Sequence, residues 1–142
     1  MPELRTLASP VTSVHASAEA CDLVMRASGS GRVAPDEVIV LGALAADLAA
    51  AVRRVDPDAL IADVGDGWEM FSLEGEGGVH ALAYLTDLDL TGAGFTQGDV
   101  AHVAAKIWIC DRRVHLAVQA MVGHHLRERI LADCPNVTEP RE

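Results

Sequence analysis

Val103-Ala104-Ala105-Lys106-Ile107-Trp108-Ile109-Cys110-Asp111-Arg112-Arg113-Val114-His115-Leu116-Ala117-Val118-Gln119 is the stretch on which the fold turns. Three foldings satisfy its apolar spacing. One continuous amphipathic helix uses Val100, Val103, Ile107, Val114, Val118 and Met121. A hairpin sets Ile107 to Cys110 against Val114 to Val118 across a turn at Asp111-Arg112-Arg113. A helix-turn-helix divides the same run into two helices. Short apolar runs fit a period of 2 and a period of 3.6 alike, so spacing leaves all three open.

The elements on either side are clearer. Downstream, Met121 to about Ala132 reads as a helix in every case, and the chain from Pro135 on reads as a tail. Upstream, Asp99 to Lys106 begins like a helix, and Thr91 to Gly98 reads as a glycine-containing loop. Ala59 to Val64, Trp68 to Leu73 and Val79 to Leu85 read as three strands of an antiparallel meander. Gly65-Asp66-Gly67 and Glu74 to Gly78 are its turns. Before them, Pro35-Asp36-Glu37 is a helix-start signal, followed by apolar residues at Val38, Leu41, Leu48 and Val52. Arg53-Arg54 then suit the last turn and Asp56-Pro57 the stop. Ser17-Ala18-Glu19 opens a short helix to Arg26, which Ser28-Gly29-Ser30-Gly31 ends. The expected fold is α+β: N-terminal helices, an antiparallel sheet of three to five strands and a C-terminal helix. The expected organisation is a flexible arm over 1–16, one domain over 17–133 and a tail over 134–142.

Composition narrows the function. The chain has 142 residues, half of them hydrophobic, which is enough to bury a core without disulfides or metal. Aromatic residues make up only 4%, little material for stacking on bases. The net charge of -10 repels phosphate backbones and anionic membranes, so nucleic acid and membrane are disfavoured as partners. Three cysteines, Cys21, Cys110 and Cys134, without C-x-x-C spacing, fit a reducing compartment. With no signal-peptide pattern at the N-terminus and no long apolar run, the expected location is cytoplasmic. Lys106 is the single lysine among eleven basic residues, a usage that suits a GC-rich bacterial genome.

Charge is also uneven along the chain. Between Arg54 and Lys106 there is no lysine or arginine, while acids recur throughout; from Lys106 to Arg129 basic residues dominate. The favoured reading is a non-enzymatic, acidic, partner-binding protein of the immunity, antitoxin or secretion-chaperone sort. It would use an acidic sheet face to meet a basic protein. The nominated residues are Asp63, Asp66, Glu69, Glu74, Glu76, Asp87 and Asp89, with Trp68 as an apolar anchor if exposed. A homodimer stays open.

Other chemistry is thinly represented. Asp87 and Asp89 flank Leu88 and would share a strand face, a paired-carboxylate pattern. His124 and Glu128 stand one helical turn apart, a chelating spacing without a third ligand. Cys110 and His115 would form a thiol–base pair across a hairpin, although Cys110 lies in a run that reads as core. No phosphate-binding loop or nucleophile elbow is present, and neither a cofactor nor a metal is expected.

Two resemblances complete the reading. The run Val103-Ala104, Ile107, Ile109, Cys110, Val114 resembles the helix-turn-helix core of response-regulator output domains. That resemblance implies a DNA-binding regulator with a helix-turn-helix at about 100–122. Arg112, Arg113, His115 and Gln119 would then face the major groove. The order helix, three strands, helix, two strands, helix is similar to small effector-binding secretion chaperones, in architecture only.

Overall fold

The computed structural model describes residues 2–92 and 94–140; Met1, Ala93, Arg141 and Glu142 lie outside the described residues. The chain is α+β. Its strands are β1 (Glu3–Leu7), β2 (Val11–His15), β3 (Ser30–Ala34), β4 (Glu37–Leu41), β5 (Leu60–Asp63), β6 (Trp68–Glu74), β7 (Gly94–Val100), β8 (Val103–Cys110) and β9 (Arg113–Gln119). Its helices are α1 (Ala18–Val24), α2 (Ala46–Val55), α3 (Gly78–Leu82) and α4 (Ala120–Asp133), with a 3-10 turn at Gly65–Gly67. They form two compact units. One holds the chain up to Ala8 and from Asp66 on; the other is Ser9–Gly65.

The first unit is a five-stranded antiparallel sheet in the order β1-β6-β9-β8-β7. The hairpin reading of 107–120 is the one that forms. Cys110 pairs with Arg113 across the turn, and the ladder runs back to Ala105 opposite Val118. The β-branched and aromatic content of Val103, Ile107, Trp108, Ile109, Val114 and Val118 suits strands. Residues four apart, such as Val103 and Ile107, also lie on one face of a strand, which is why the helical spacing matched equally well. There is no helix-turn-helix at 100–122, since residues 103–110 and 113–119 are strands joined by a turn. Upstream, the helical start expected at 99–106 is the β7–β8 hairpin. Its turn residues Ala101 and His102 both have positive φ, 52° and 66°, the geometry of a two-residue hairpin turn without the usual Asn-Gly signal.

One face of this sheet carries the core. Phe71 and Leu73 of β6, Ile107 of β8 and Leu116 of β9 pack with Leu126 and Ile130 of α4 and with Leu82 of α3. Each such side chain contributes about 1.5–3 kcal/mol on burial. Val79 to Leu85 is not a strand. The chain leaves β6 through Gly77, in the left-handed region at φ 85°, and turns into α3. The meander expected there is therefore absent: β6 lies between β1 and β9.

The second unit is a four-stranded antiparallel sheet, β3-β4-β2-β5, with α1 and α2 against it. Val14, Val38 and Val40 meet Ala20, Cys21, Val24 and Val52 in its core. α1 follows the sequence reading, with the Ser17 side chain accepting from the Ala20 N–H at 3.2 Å. Pro35-Asp36 opens no helix. It lies between β3 and β4, and the β-branched run Val38-Ile39-Val40 goes to the sheet. Only α2, with Arg53 and Arg54 in its last turn, keeps the helical expectation of this stretch.

Described residues near each end of the chain take part in the strands and the core. Residues 1–16, read as an arm, supply β1 and β2, and Leu4, Val11 and Val14 are buried. In the stretch read as a tail, Cys134 and Val137 are buried and Thr138 bridges to Glu3. No helix among the described residues is long and apolar enough to cross a membrane.

Candidate functional site

A concavity lies in the first unit, at one end of its sheet. It is a cleft of about 640 Å³ between three connections: the β6–α3 turn with α3, the 88–91 loop, and the β8–β9 turn. Val79, Leu88, Leu90 and Val114 give it an apolar floor, and Glu76, Asp89, Asp111, Arg112 and Arg113 stand around it. Acids nominated for partner binding and arginines nominated for DNA thus meet in one place. Arg112 pairs with Glu76 at 2.6 Å, and the Gly75 N–H donates to the Arg112 carbonyl at 3.0 Å, so the two turns are tied together. Arg113 lies 3.5 Å from Glu74, which also meets Arg5 at 3.2 Å.

Asp89 accepts from the Thr91 N–H at 3.0 Å and from its hydroxyl at 2.6 Å, and these bonds hold its carboxyl below the usual range. Neither Asp89 nor Asp111 has an ion-pair partner among the described residues. Asp87 and Asp89 do not share a strand face. They belong to a loop, with Asp87 lining a second, smaller cleft beside Tyr84 and Asp99.

The other nominated acids are dispersed. Glu69 and Glu74 are an odd number of residues apart on β6 and so point to opposite faces, which rules out one acidic sheet face. Glu69 lies against Gly123 of α4. Asp66 is exposed in the 3-10 turn. Asp63, in the second unit, accepts from the Gly65 N–H at 2.9 Å. Trp68 is half-buried at the start of β6 and lines a hollow of about 400 Å³ with Met121, which is 85% exposed.

On the sheet face away from the core, Arg5, Ser72, His115, Trp108 and Phe95 form one cross-strand row. The ring centroids of Phe95 and Trp108 are 5.1 Å apart, and the buried Trp108 Nε1 has no hydrogen-bond partner among the described residues. Gln119 is exposed, paired with Trp68. Cys110 is exposed rather than core and sits opposite Arg113, while His115 sits opposite Trp108, so the register does not join them as a pair. Cys21 and Cys134 are buried, and burial pushes the Cys134 thiol up to about 11. His124 Nε2 and Glu128 Oε1 lie 3.0 Å apart on the exposed side of α4, and no cluster among the described residues is suited to a metal ion.

Burial holds the His115 pKa below its ordinary 6.5, aided by Arg113 and opposed by Glu74. Neutral imidazole is therefore favoured by folding. Above pH 6.5 this contribution is fully present; as pH falls through 6.5 toward the folded value, the unfolded chain binds more protons and stability declines. His115→Gln is expected to flatten that part of the stability–pH curve in denaturant titrations at pH 5 to 8.

The sequence reading missed the cleft because it placed Val79 in a strand and Gly75 to Gly78 in a hairpin turn. Leu88 and Leu90, which wall it, carried no periodic signal. No family model matches the chain, and no curated protein matches it. Among solved structures, it is similar to a chain of the heterotetrameric sarcosine oxidase from Corynebacterium sp. U-96 in complex with pyrrole 2-carboxylate. The TM-score is 0.72 at 15% identity, over 90% of this chain and 80% of that one. At that identity the likeness concerns the fold.

Proposed function

We propose that the chain is a non-enzymatic binding protein that holds a basic, partly apolar segment of a protein partner in the cleft of its first unit. The observation that carries this reading is the lining itself. An apolar floor lies beside Asp89 and Asp111, two carboxylates without an ion-pair partner among the described residues. A pocket of this size suits one or two aliphatic side chains, with the carboxylates selecting a neighbouring lysine or arginine. The net charge of -10 extends the attraction over long range and acts chiefly on association rate. The DNA-binding reading loses its support with the helix-turn-helix, and Arg112, its first residue, is already paired with Glu76.

A tagged chain used as bait in native lysate, with nuclease added, is expected to recover one stoichiometric protein whose association rate falls as salt rises. The double variant Asp89→Lys, Asp111→Lys should recover at least tenfold less while keeping the parent circular dichroism. Undiminished recovery by the variant, a salt-independent association rate, or nuclease-sensitive nucleic acid in place of protein would each sink the reading.

A further inference from the structure

The second unit has an unpaired sheet edge at β5. The Val64 N–H donates to the Val11 carbonyl at 2.8 Å, which makes that pair a bonded one. Antiparallel ladders alternate, so the bonded pairs continue at Ala62 with Ser13 and Leu60 with His15. Ile61 and Asp63 therefore turn their N–H and C=O groups to the other side. No strand among the described residues pairs there, since β5 ends the sheet.

Edges are commonly protected by bulges, basic side chains or covering segments. β3, at the opposite edge, has both of the first two. Its register shifts between Arg32 and Ala34, and Arg32 is tied to Asp22 and to the carbonyls of Ala18 and Pro35. β5 has no proline, no basic residue and no bulge, and Leu60 is 68% exposed. Its flanks are acidic, with Asp58 before it and Asp63 at its end, and the nearest basic residue on that stretch is Arg54. A second copy of this chain would bring like charges to the same edge. A basic strand would not.

We propose that the open edge of β5 is a strand-addition site for an extended segment of a protein partner in which apolar and basic residues alternate. Main-chain bonds to Ile61 and Asp63 would supply the pairing, Leu60 an apolar contact, and Asp58 and Asp63 the preference for positive charge. The site lies in the other unit from the cleft and stands apart from the reading given to it.

The full chain, labelled with nitrogen-15, would be titrated with a capped hexapeptide of alternating valine and arginine. Saturable shifts and at least tenfold slower hydrogen exchange are expected at the Ile61 and Asp63 amides. An alternating valine–glutamate peptide, and an arginine peptide of equal charge with proline in place of valine, should give neither. Leu60→Lys should weaken binding at least fivefold. Asp63→Pro, which removes an outward N–H while sparing the ladder to β2, should do the same. Equal binding of the proline peptide at β5 would reduce the effect to charge attraction and overturn the proposal, as would the absence of shifts at Ile61 and Asp63, whether or not cleft residues shift. The cleft variant Asp89→Lys, Asp111→Lys should bind the valine–arginine peptide unchanged, so the two sites fail separately.

Discussion

Phe71→Ala is expected to lose about 3–5 kcal/mol in urea unfolding followed by tryptophan fluorescence. Phe71 is fully buried at the middle of β6, opposite Thr6 on one side and Leu116 on the other. β6 lies second in its sheet, so a cavity there touches strands from the start and the end of the chain as well as α4. Packing around it is spread over many side chains on two layers, which limits collapse onto the space left behind. Trp68 and Trp108 both belong to this unit, so the fluorescence transition reports it directly. Phe71→Leu keeps most of the volume and is expected to cost less than half as much. Equal losses from the two variants would mean that aromatic shape, not filled volume, matters at this position.

How much of this arrangement the sequence discloses follows from which residues are ambiguous. α1 and α4 were legible because caps and breakers bound them: Ser17 before α1, and Pro135 after α4. β6 was legible because turn signals bound it, Gly65-Asp66-Gly67 before and Glu74 to Gly78 after. The stretch 35–55 misled because a valid helix-start signal precedes a β-branched run, and the run prevailed through its place between β3 and β2. That is a tertiary preference with no local signature. The β7–β8 turn misled because Ala101-His102 adopts positive φ without Asn or Gly. The second sheet stayed hidden since β2 and β4 pair across α1, over a distance that periodicity does not sense. For the candidate site, sequence nominated Glu76, Asp89, Arg112 and Arg113 but divided them between rival functions. Only the fold brings the β6–α3 and β8–β9 turns together, through Gly75 and Arg112.

Gly123→Ala is expected to destabilise the same unit by about 1–3 kcal/mol, although alanine favours helix over glycine by roughly 1 kcal/mol. A Cβ at Gly123 would stand 1.8 Å from Glu69 Oε2 and 2.9 Å from Glu69 Cβ, so both the side chain and its attachment obstruct it. Glu69→Ala removes the carboxylate but not the Cβ. The double variant should therefore recover part of the loss, with a coupling of about 0.5–3 kcal/mol. That coupling also decides what Glu69 is for. The sequence reading nominates it as a partner contact, whereas the structure sets its side chain against the first half of α4. If Glu69→Ala shifts the unfolding midpoint, couples to Gly123→Ala and leaves partner capture intact, Glu69 positions α4 on the sheet. If Gly123→Ala is neutral and Glu69→Ala alone reduces capture, its carboxylate faces the partner, and the binding surface extends from the cleft along β6.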